Sequence, residues 1–241
     1  MTSPAAGPHG VLIVSGTGTG VGKTVVTAAL AALARARGDR VAVVKPAQTG
    51  IPDSGAPATE PPDMETVTRL SGVSDTRELA RYPDPLSPEA AARISGRPPL
   101  DMAATADRIA KLATDRDLVL VEGAGGLLVR YDPAGTTIAD LAVALGAPVL
   151  TVAAAGLGTL NHTALTLEAL TARRIPSAGV VIGSRPGSPD LAARTNLADL
   201  AAVAGAPLAG LLPENAGALP RDAFLAMAWA SLSPALGGHR S

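Results

Sequence analysis

The apolar run Val11-Leu12-Ile13-Val14 passes directly into Gly16-Thr17-Gly18-Thr19-Gly20-Val21-Gly22-Lys23-Thr24, and nothing else in the chain restricts its fold as strongly. A strand must feed a loop whose glycines let backbone N–H groups crowd around phosphate oxygens, and Lys23 and Thr24 must open the next helix. Lys23 then reaches the β/γ-phosphates and the Thr24 hydroxyl is offered to Mg²⁺. The loop is one residue longer than G-x-x-x-x-G-K-[ST], which would need glycine where Thr17 stands; the initiating glycine is Gly16. The pattern predicts nucleoside triphosphate binding, with Thr19, Gly20, Val21, Gly22 and Val25 beside Lys23 and Thr24.

Further short apolar runs recur at Val41 to Val44, Leu118 to Val121, Val149 to Ala153, Gly179 to Ile182 and Leu208 to Leu212. They lack polar alternation, as strands covered on both faces must, and the segments between them are long enough for crossover helices. The expected fold is a doubly wound α/β sheet, mainly parallel, with helices on both faces and ligands beyond the carboxyl ends of the strands. A loose tail over residues 1–9 and one domain over 10–241 are expected. Ile51 to Pro62, rich in proline, glycine and small polar residues, is expected to be a mobile surface loop, and residues 81–99 an irregular excursion.

Composition excludes several functions. The chain has no cysteine, so disulfides and thiolate metal sites are out, and its three histidines cannot make a histidine-rich cluster. A net charge of −1 with no basic stripe gives no nucleic-acid footprint. The first nine residues lack the features of a signal peptide, which leads to a cytoplasmic expectation. The uncharged stretch Leu141 to Leu160 is long enough to suggest a membrane span, but Gly146-Ala147-Pro148 interrupts it, so it reads as a helix end, a turn and a buried strand.

Only three of the twenty basic residues are lysines, Lys23, Lys45 and Lys111. In a chain so biased toward arginine, a lysine at a strand end suggests a compact point charge. Lys45 closes the strand 40–44 and is followed by Pro46; it is either an ordinary strand-end lysine or a charge that stabilises a phosphoryl group in transfer. Glu122 ends the strand at Val121 and enters Gly123-Ala124-Gly125-Gly126, where it either faces water or organises a metal. Asp63 follows Pro61-Pro62 and is equally an N-cap or a second Mg²⁺ carboxylate. Thr49-Gly50 is a plain turn or a donor to substrate. Asn161 reads most simply as the cap of the helix after Gly156-Leu157-Gly158-Thr159-Leu160, and His162 as structural.

Taken together, the loop at 16–24, Val44-Lys45-Pro46-Ala47-Gln48-Thr49-Gly50, Val121 to Gly126 and Leu157 to His162 resemble the dethiobiotin synthetases. The resemblance spans nearly the whole chain after the tail. It implies ATP-dependent closure of a ureido ring on 7,8-diaminononanoate and CO₂: a carbamate forms, its oxygen attacks the γ-phosphate, and the second amine closes the ring as phosphate leaves. By resemblance Lys23 and Lys45 are catalytic, Thr24, Asp63 and Glu122 organise Mg²⁺, and Gly123, Ala124, Gly125, Gly183, Ser184, Leu212, Pro213 and Glu214 join the nucleotide site. Thr49 meets the diamine or its carbamate, and the Gly158, Thr159, Leu160, Asn161 turn of a neighbouring subunit meets its carboxylate, which implies a homodimer.

Three departures from the familiar pattern bear on these expectations. Gly20 stands where some members carry an acidic residue, Thr49 replaces a serine, and Gly183-Ser184 replaces an Asn-Asp pair. The last removes an amide that reads the adenine edge in those members, which predicts relaxed nucleotide choice. Two other classes share this loop type. Cobyrinate-diamide-type amidotransferases need an ammonia source that a chain without cysteine lacks, and partitioning ATPases carry an additional early lysine where this chain has Gly16, Thr17 and Gly18.

Overall fold

The computed structural model describes residues 7–52 and 61–240. Residues 1–6 of the expected tail, 53–60 of the expected mobile loop and Ser241 lie outside the described residues. Among the described residues seven strands form one sheet: β1 (Gly10–Gly16), β2 (Val41–Thr49), β3 (Thr76–Tyr82), β4 (Leu118–Gly126), β5 (Val149–Ala153), β6 (Ser177–Arg185) and β7 (Gly210–Pro213). Their spatial order is β3-β2-β4-β1-β5-β6-β7, and every pair is parallel. Among the described residues eight α-helices accompany them: α1 (Lys23–Ala36), α2 (Asp63–Ser71), α3 (Pro88–Ser95), α4 (Met102–Ala113), α5 (Ile138–Leu145), α6 (Thr159–Ala172), α7 (Leu191–Ala204) and α8 (Arg221–Ser231).

Helices cover both faces, which is why the central strands are apolar without alternation. One core layer packs Leu12, Val14, Val43, Leu118 and Leu120 under α1, α2 and α8. The opposite layer packs Ile13, Val44, Val119 and Val121 under α3, α4 and α5. Helix α1 is the innermost, with residues 26–34 buried without a break, and its alanines permit close approach to the sheet. Local chemistry fixes the helix starts. Asp101 and Asp190 accept backbone N–H bonds at the starts of α4 and α7, and Thr137 and Asp140 form a reciprocal capping box for α5.

Several expected boundaries are corrected. The strand expected to close at Val44 runs on to Thr49, so Lys45 and Pro46 lie inside β2. Proline is tolerated there because β2 pairs with β4 only through Val44; from Lys45 onward its hydrogen bonds go to β3 alone. Likewise β4 continues past Val121 through Glu122 to Gly126. Strand β3 was not foreseen, because Thr-Arg-Glu-Leu-Ala-Arg-Tyr is an edge strand with exposed polar positions and no apolar run. The 81–99 excursion contains α3. The 141–160 stretch resolves into the end of α5, Gly146 at φ 59°, β5 and the start of α6. Among the described residues no helix is long and apolar enough to cross a membrane.

Candidate functional site

The carboxyl ends of β1, β2 and β4 converge on a cavity of about 760 Å³, closed on its far side by α2 and the turn at Gly217 and Ala218. Gly20 at φ 74° and Gly22 at φ 94° let the loop after β1 coil in the left-handed region that other residues avoid. Gly22 is also the N-cap of α1, so the helix begins with its N–H groups aimed into the cavity. The Lys23 ammonium folds back across the loop and donates to the Gly18 carbonyl at 2.8 Å.

Four side chains from four elements interlock at the floor. The Lys45 ammonium lies 2.5 Å from Asp63 Oδ2 and 2.9 Å from Glu122 Oε1, and donates at 3.3 Å to the Gly123 carbonyl. Thr24 Oγ1 is 2.8 Å from Glu122 Oε1 and 3.1 Å from Asp63 Oδ1. Glu122 is fully buried and its Oε2 has no hydrogen-bond partner. A buried carboxylate oxygen without a donor is costly unless a cation or donor meets it.

The ionisation of the group follows from this geometry. Burial disfavours the Lys45 ammonium, but Glu122 and Asp63 outweigh that and hold its pKa above the ordinary lysine value. Asp63, although burial opposes it, is held below the usual carboxylate range by Lys45. Burial pushes Glu122 upward, and Lys45, which also serves Asp63, does not fully offset it. Lys23 differs from Lys45: burial and the nearby Lys45 charge lower it to about 8. A lysine poised to lose its proton is one that gains most from an incoming polyanion.

Asp63 is not a cap. It is the first residue of α2, its side chain makes no capping bond, and it turns instead toward Thr24 and Lys45. Its backbone N–H donates to Gln48 Oε1 at 3.1 Å, so Gln48 at the end of β2 ties the helix start to the strand that carries Lys45. On the other side, the buried Tyr131 hydroxyl accepts the Ala124 N–H at 2.6 Å and fixes the glycine-rich end of β4.

Of the residues singled out for nucleotide or substrate, Thr19, Gly20, Gly22, Lys23, Thr24, Val25, Lys45, Thr49, Asp63, Glu122, Ala124 and Gly125 line the cavity, whereas Val21 and Gly123 do not. Nor do several others. Gly183 is buried against the phosphate loop: a Cβ there would overlap the Val21 carbonyl oxygen and come within 2.7 Å of Val152 Cγ1. Leu212 is in the core, and Ser184, Pro213 and Glu214 are exposed outside the cavity. Gly158 to Asn161 form the start of α6 away from it; Gly158 at φ 89° is the N-cap, and Asn161 is an exposed residue of the first turn rather than the cap. Seven further residues to which the sequence assigns no site role also line it: Ala47, Gln48, Pro61, Thr66, Arg69, Gly217 and Ala218. Arg69 Nη2 donates to the Gly217 carbonyl at 2.7 Å, joining α2 to the turn opposite. Gln48 lies within the motif that carries Lys45; for Arg69 the local signal is its spacing of six residues from Asp63.

The chain matches the model of the AAA domain family over residues 10–220. It is 62% identical to the ATP-dependent dethiobiotin synthetase BioD of Frankia casuarinae, over 94% of this chain and 93% of that protein. The chain belongs to the ATP-dependent dethiobiotin synthetase family. Relatives of the same description from Saccharopolyspora erythraea and Streptomyces coelicolor are 59% and 56% identical, over 96% and 95% of this chain and 99% and 94% of theirs. Among solved structures, the cell division ATPase MinD of Pyrococcus furiosus has a TM-score of 0.57 at 19% identity, covering 95% of this chain and 97% of its own. A ParA family ATPase from Chlorobium tepidum has a TM-score of 0.55 at 16% identity, covering 93% and 91%. These two establish the P-loop fold alone. The dethiobiotin synthetase family and the phosphate-loop fold are therefore those expected from the sequence.

Proposed function

We propose that the protein closes the ureido ring of dethiobiotin in biotin biosynthesis, using ATP, 7,8-diaminononanoate and CO₂. The observation that carries this reading is Lys45, a nearly buried cation set beside the phosphate loop between Asp63 and Glu122, in a chain that aligns almost end to end with dethiobiotin synthetases.

In this reading one substrate amine adds to CO₂ and loses a proton, giving a carbamate. Its oxygen attacks the γ-phosphorus of ATP, the bond to ADP breaks, and a carbamoyl-phosphate mixed anhydride results. The second amine then attacks the carbonyl carbon, the C–O bond to phosphate breaks, and inorganic phosphate departs as the ring closes. Lys23 and Lys45 face the transferring phosphoryl group from two directions and stabilise the charge that spreads over its oxygens. The glycines at 20 and 22 let the loop backbone hold the β- and γ-phosphates. Thr49, at the end of β2, touches the diamine or carbamate.

The hydroxyl of Thr24 and the carboxylates of Asp63 and Glu122 are a hard oxygen set suited to Mg²⁺, and the unpartnered Glu122 Oε2 is the atom such an ion would satisfy. Among the described residues there is no group of three or more His, Cys, Asp and Glu that could hold a metal, so Thr24, Asp63 and Glu122 would hold the ion together with the bound triphosphate. When bound, Mg²⁺ supplies charge neutralisation for the phosphoryl group.

Gly158 to Asn161 belong to the substrate site only if a second subunit presents them, and the proposed homodimer does so. The surface beside them supports that arrangement: Leu157 is 93% and Leu165 55% exposed, an apolar face that a partner would cover. Relaxed choice of base is also part of the reading, since position 183 offers no side chain to an adenine.

The test is incubation with 7,8-diaminononanoate, bicarbonate, Mg²⁺ and ATP, with dethiobiotin detected by mass spectrometry. Absence of product from folded protein would overturn the assignment. Comparable initial rates with ATP, CTP, GTP and UTP are expected, and a strong preference for ATP would overturn the reading of Gly183.

A further inference from the structure

The third lysine is not absorbed by the catalytic site. Lys111 lines a separate cavity of about 530 Å³ between α4 and the edge strand β3. The floor is aliphatic: Val44 of β2, Leu79 of β3, and Ile109 and Leu112 of α4. It exists because β3 is the outermost strand, and α4, which packs over β2 and β4, leaves the side of β3 uncovered there.

The rim is cationic. Arg77, Arg108, Lys111 and Arg116 line it, against one carboxylate, Asp115. Arg77 and Arg116 are already engaged by Asp75, at 2.8 Å each, and Arg116 also by Asp115 at 3.2 Å. Arg108 and Lys111 are not engaged: among the described residues neither side chain makes an ion pair or hydrogen bond. They are three residues apart on α4, so two uncompensated like charges are neighbours on one helix face and repel. An aliphatic floor under a rim of net positive charge, with Arg108 and Lys111 outside its ion pairs, is complementary to a molecule with an apolar body and an anionic end, and the volume is that of a small-molecule site.

We infer that the α4–β3 cleft binds an aliphatic carboxylate, with its chain on Val44, Leu79, Ile109 and Leu112 and its carboxylate between Arg108 and Lys111. The site is distinct from the catalytic cavity, and this inference does not rest on the assigned reaction. The two are nonetheless adjacent in the chain: Val44 forms the floor of one, and Lys45, the next residue, the floor of the other.

Octanoate is the probe. In the full-length protein saturated with ADP, titration should shift the methyl NMR signals of Val44, Leu79, Ile109 and Leu112, with affinity reduced at least tenfold in Arg108→Glu/Lys111→Glu and less in Arg108→Gln/Lys111→Gln. Both variants should keep the ADP affinity of the parent. Shifts confined to other methyls would overturn the inference, as would no shift up to the solubility limit, or equal octanoate affinity in a folded double variant. Acetate binding as tightly as octanoate would overturn the role of the aliphatic floor. Because the methyl map uses the unaltered chain, the test stands even if the charge-reversal variant does not fold.

Discussion

Members of the family with asparagine at position 183 suggest an obvious experiment, installing that side chain to sharpen adenine recognition, and the structure predicts that it fails for a steric reason. The first atom added, the Cβ, would overlap the Val21 carbonyl oxygen, come within 2.7 Å of Val152 Cγ1 and within 3.1 Å of Gly22 Cα. Two of these three are backbone atoms of the phosphate loop, and the third is a side chain of the central strand β5, so none can swing aside as a surface side chain does. Approach is close from the other direction too, since a Cβ on Gly22 would lie 2.7 Å from the Gly183 carbonyl oxygen. Overpacking a tight site costs about 1–3 kcal/mol, and the absence of a flexible partner places Gly183→Ala at about 3 kcal/mol. For a chain of this length that lowers Tm by roughly 6–12 °C. If the loop moves to relieve the overlap, displacement near 1 Å lowers kcat/KM for the nucleotide about 100-fold. Calorimetry and initial rates with ATP and CTP measure both, and Gly183→Asn should lose activity with both nucleotides rather than gain preference for one. A Gly183→Ala protein with Tm within 1 °C of the parent and unchanged KM would refute the packing argument.

Replacing the Lys45 ammonium separates its two roles. Lys45→Gln should lower kcat roughly 100- to 1,000-fold through loss of charge on the transferring phosphoryl group, read as dethiobiotin formed per minute. Lys45→Met leaves Asp63 and Glu122 without their shared cation and should cost about 3–5 kcal/mol at neutral pH; because protonating a carboxylate relieves that repulsion, the deficit against the parent should shrink as pH falls toward 5, measured by urea denaturation. The Lys23 pKa near 8 lies below the ordinary lysine value, so the unfolded chain holds this proton more tightly than the folded one between pH 8 and 10.5, and its contribution to stability rises with pH across that window. The same shift means that about half of these side chains are unprotonated at pH 8; triphosphate binding should therefore take up about half a proton there and almost none at pH 6.5, seen by calorimetry in buffers of different ionisation enthalpy. Arg69→Ala should raise KM for the nucleotide about fivefold, the equivalent of one hydrogen bond to the Gly217 turn, with kcat little changed.

What the sequence made legible, and what it concealed, divides along one physical line. Phosphate binding is encoded in contiguous residues, because a strand, a glycine loop and a helix N-terminus must follow one another directly, and the loop at 16–24 could be read without any tertiary information. Lys45 and Glu122 were legible as candidates because each follows an apolar run, yet their positions were misjudged as strand ends. A run stops being apolar where the strand passes from core to cavity, not where its hydrogen bonding stops; β2 continues to Thr49 and β4 to Gly126, and both charged side chains are held by sheet backbone instead of loop. That difference matters for the chemistry, since a strand fixes Lys45 Nζ against both carboxylates with a rigidity no turn provides. Asp63 could not be settled from sequence because its alternatives, cap and ligand, differ only in what lies across space from it. Glu122, Thr24 and Lys45 reach it from elements 59, 39 and 18 residues away in the chain, and nothing local records their arrival. Position 183 is the limiting case: the family resemblance implies a missing amide, but only the packing of Gly183 on the Val21 and Gly22 backbone gives the reason why installing one should fail.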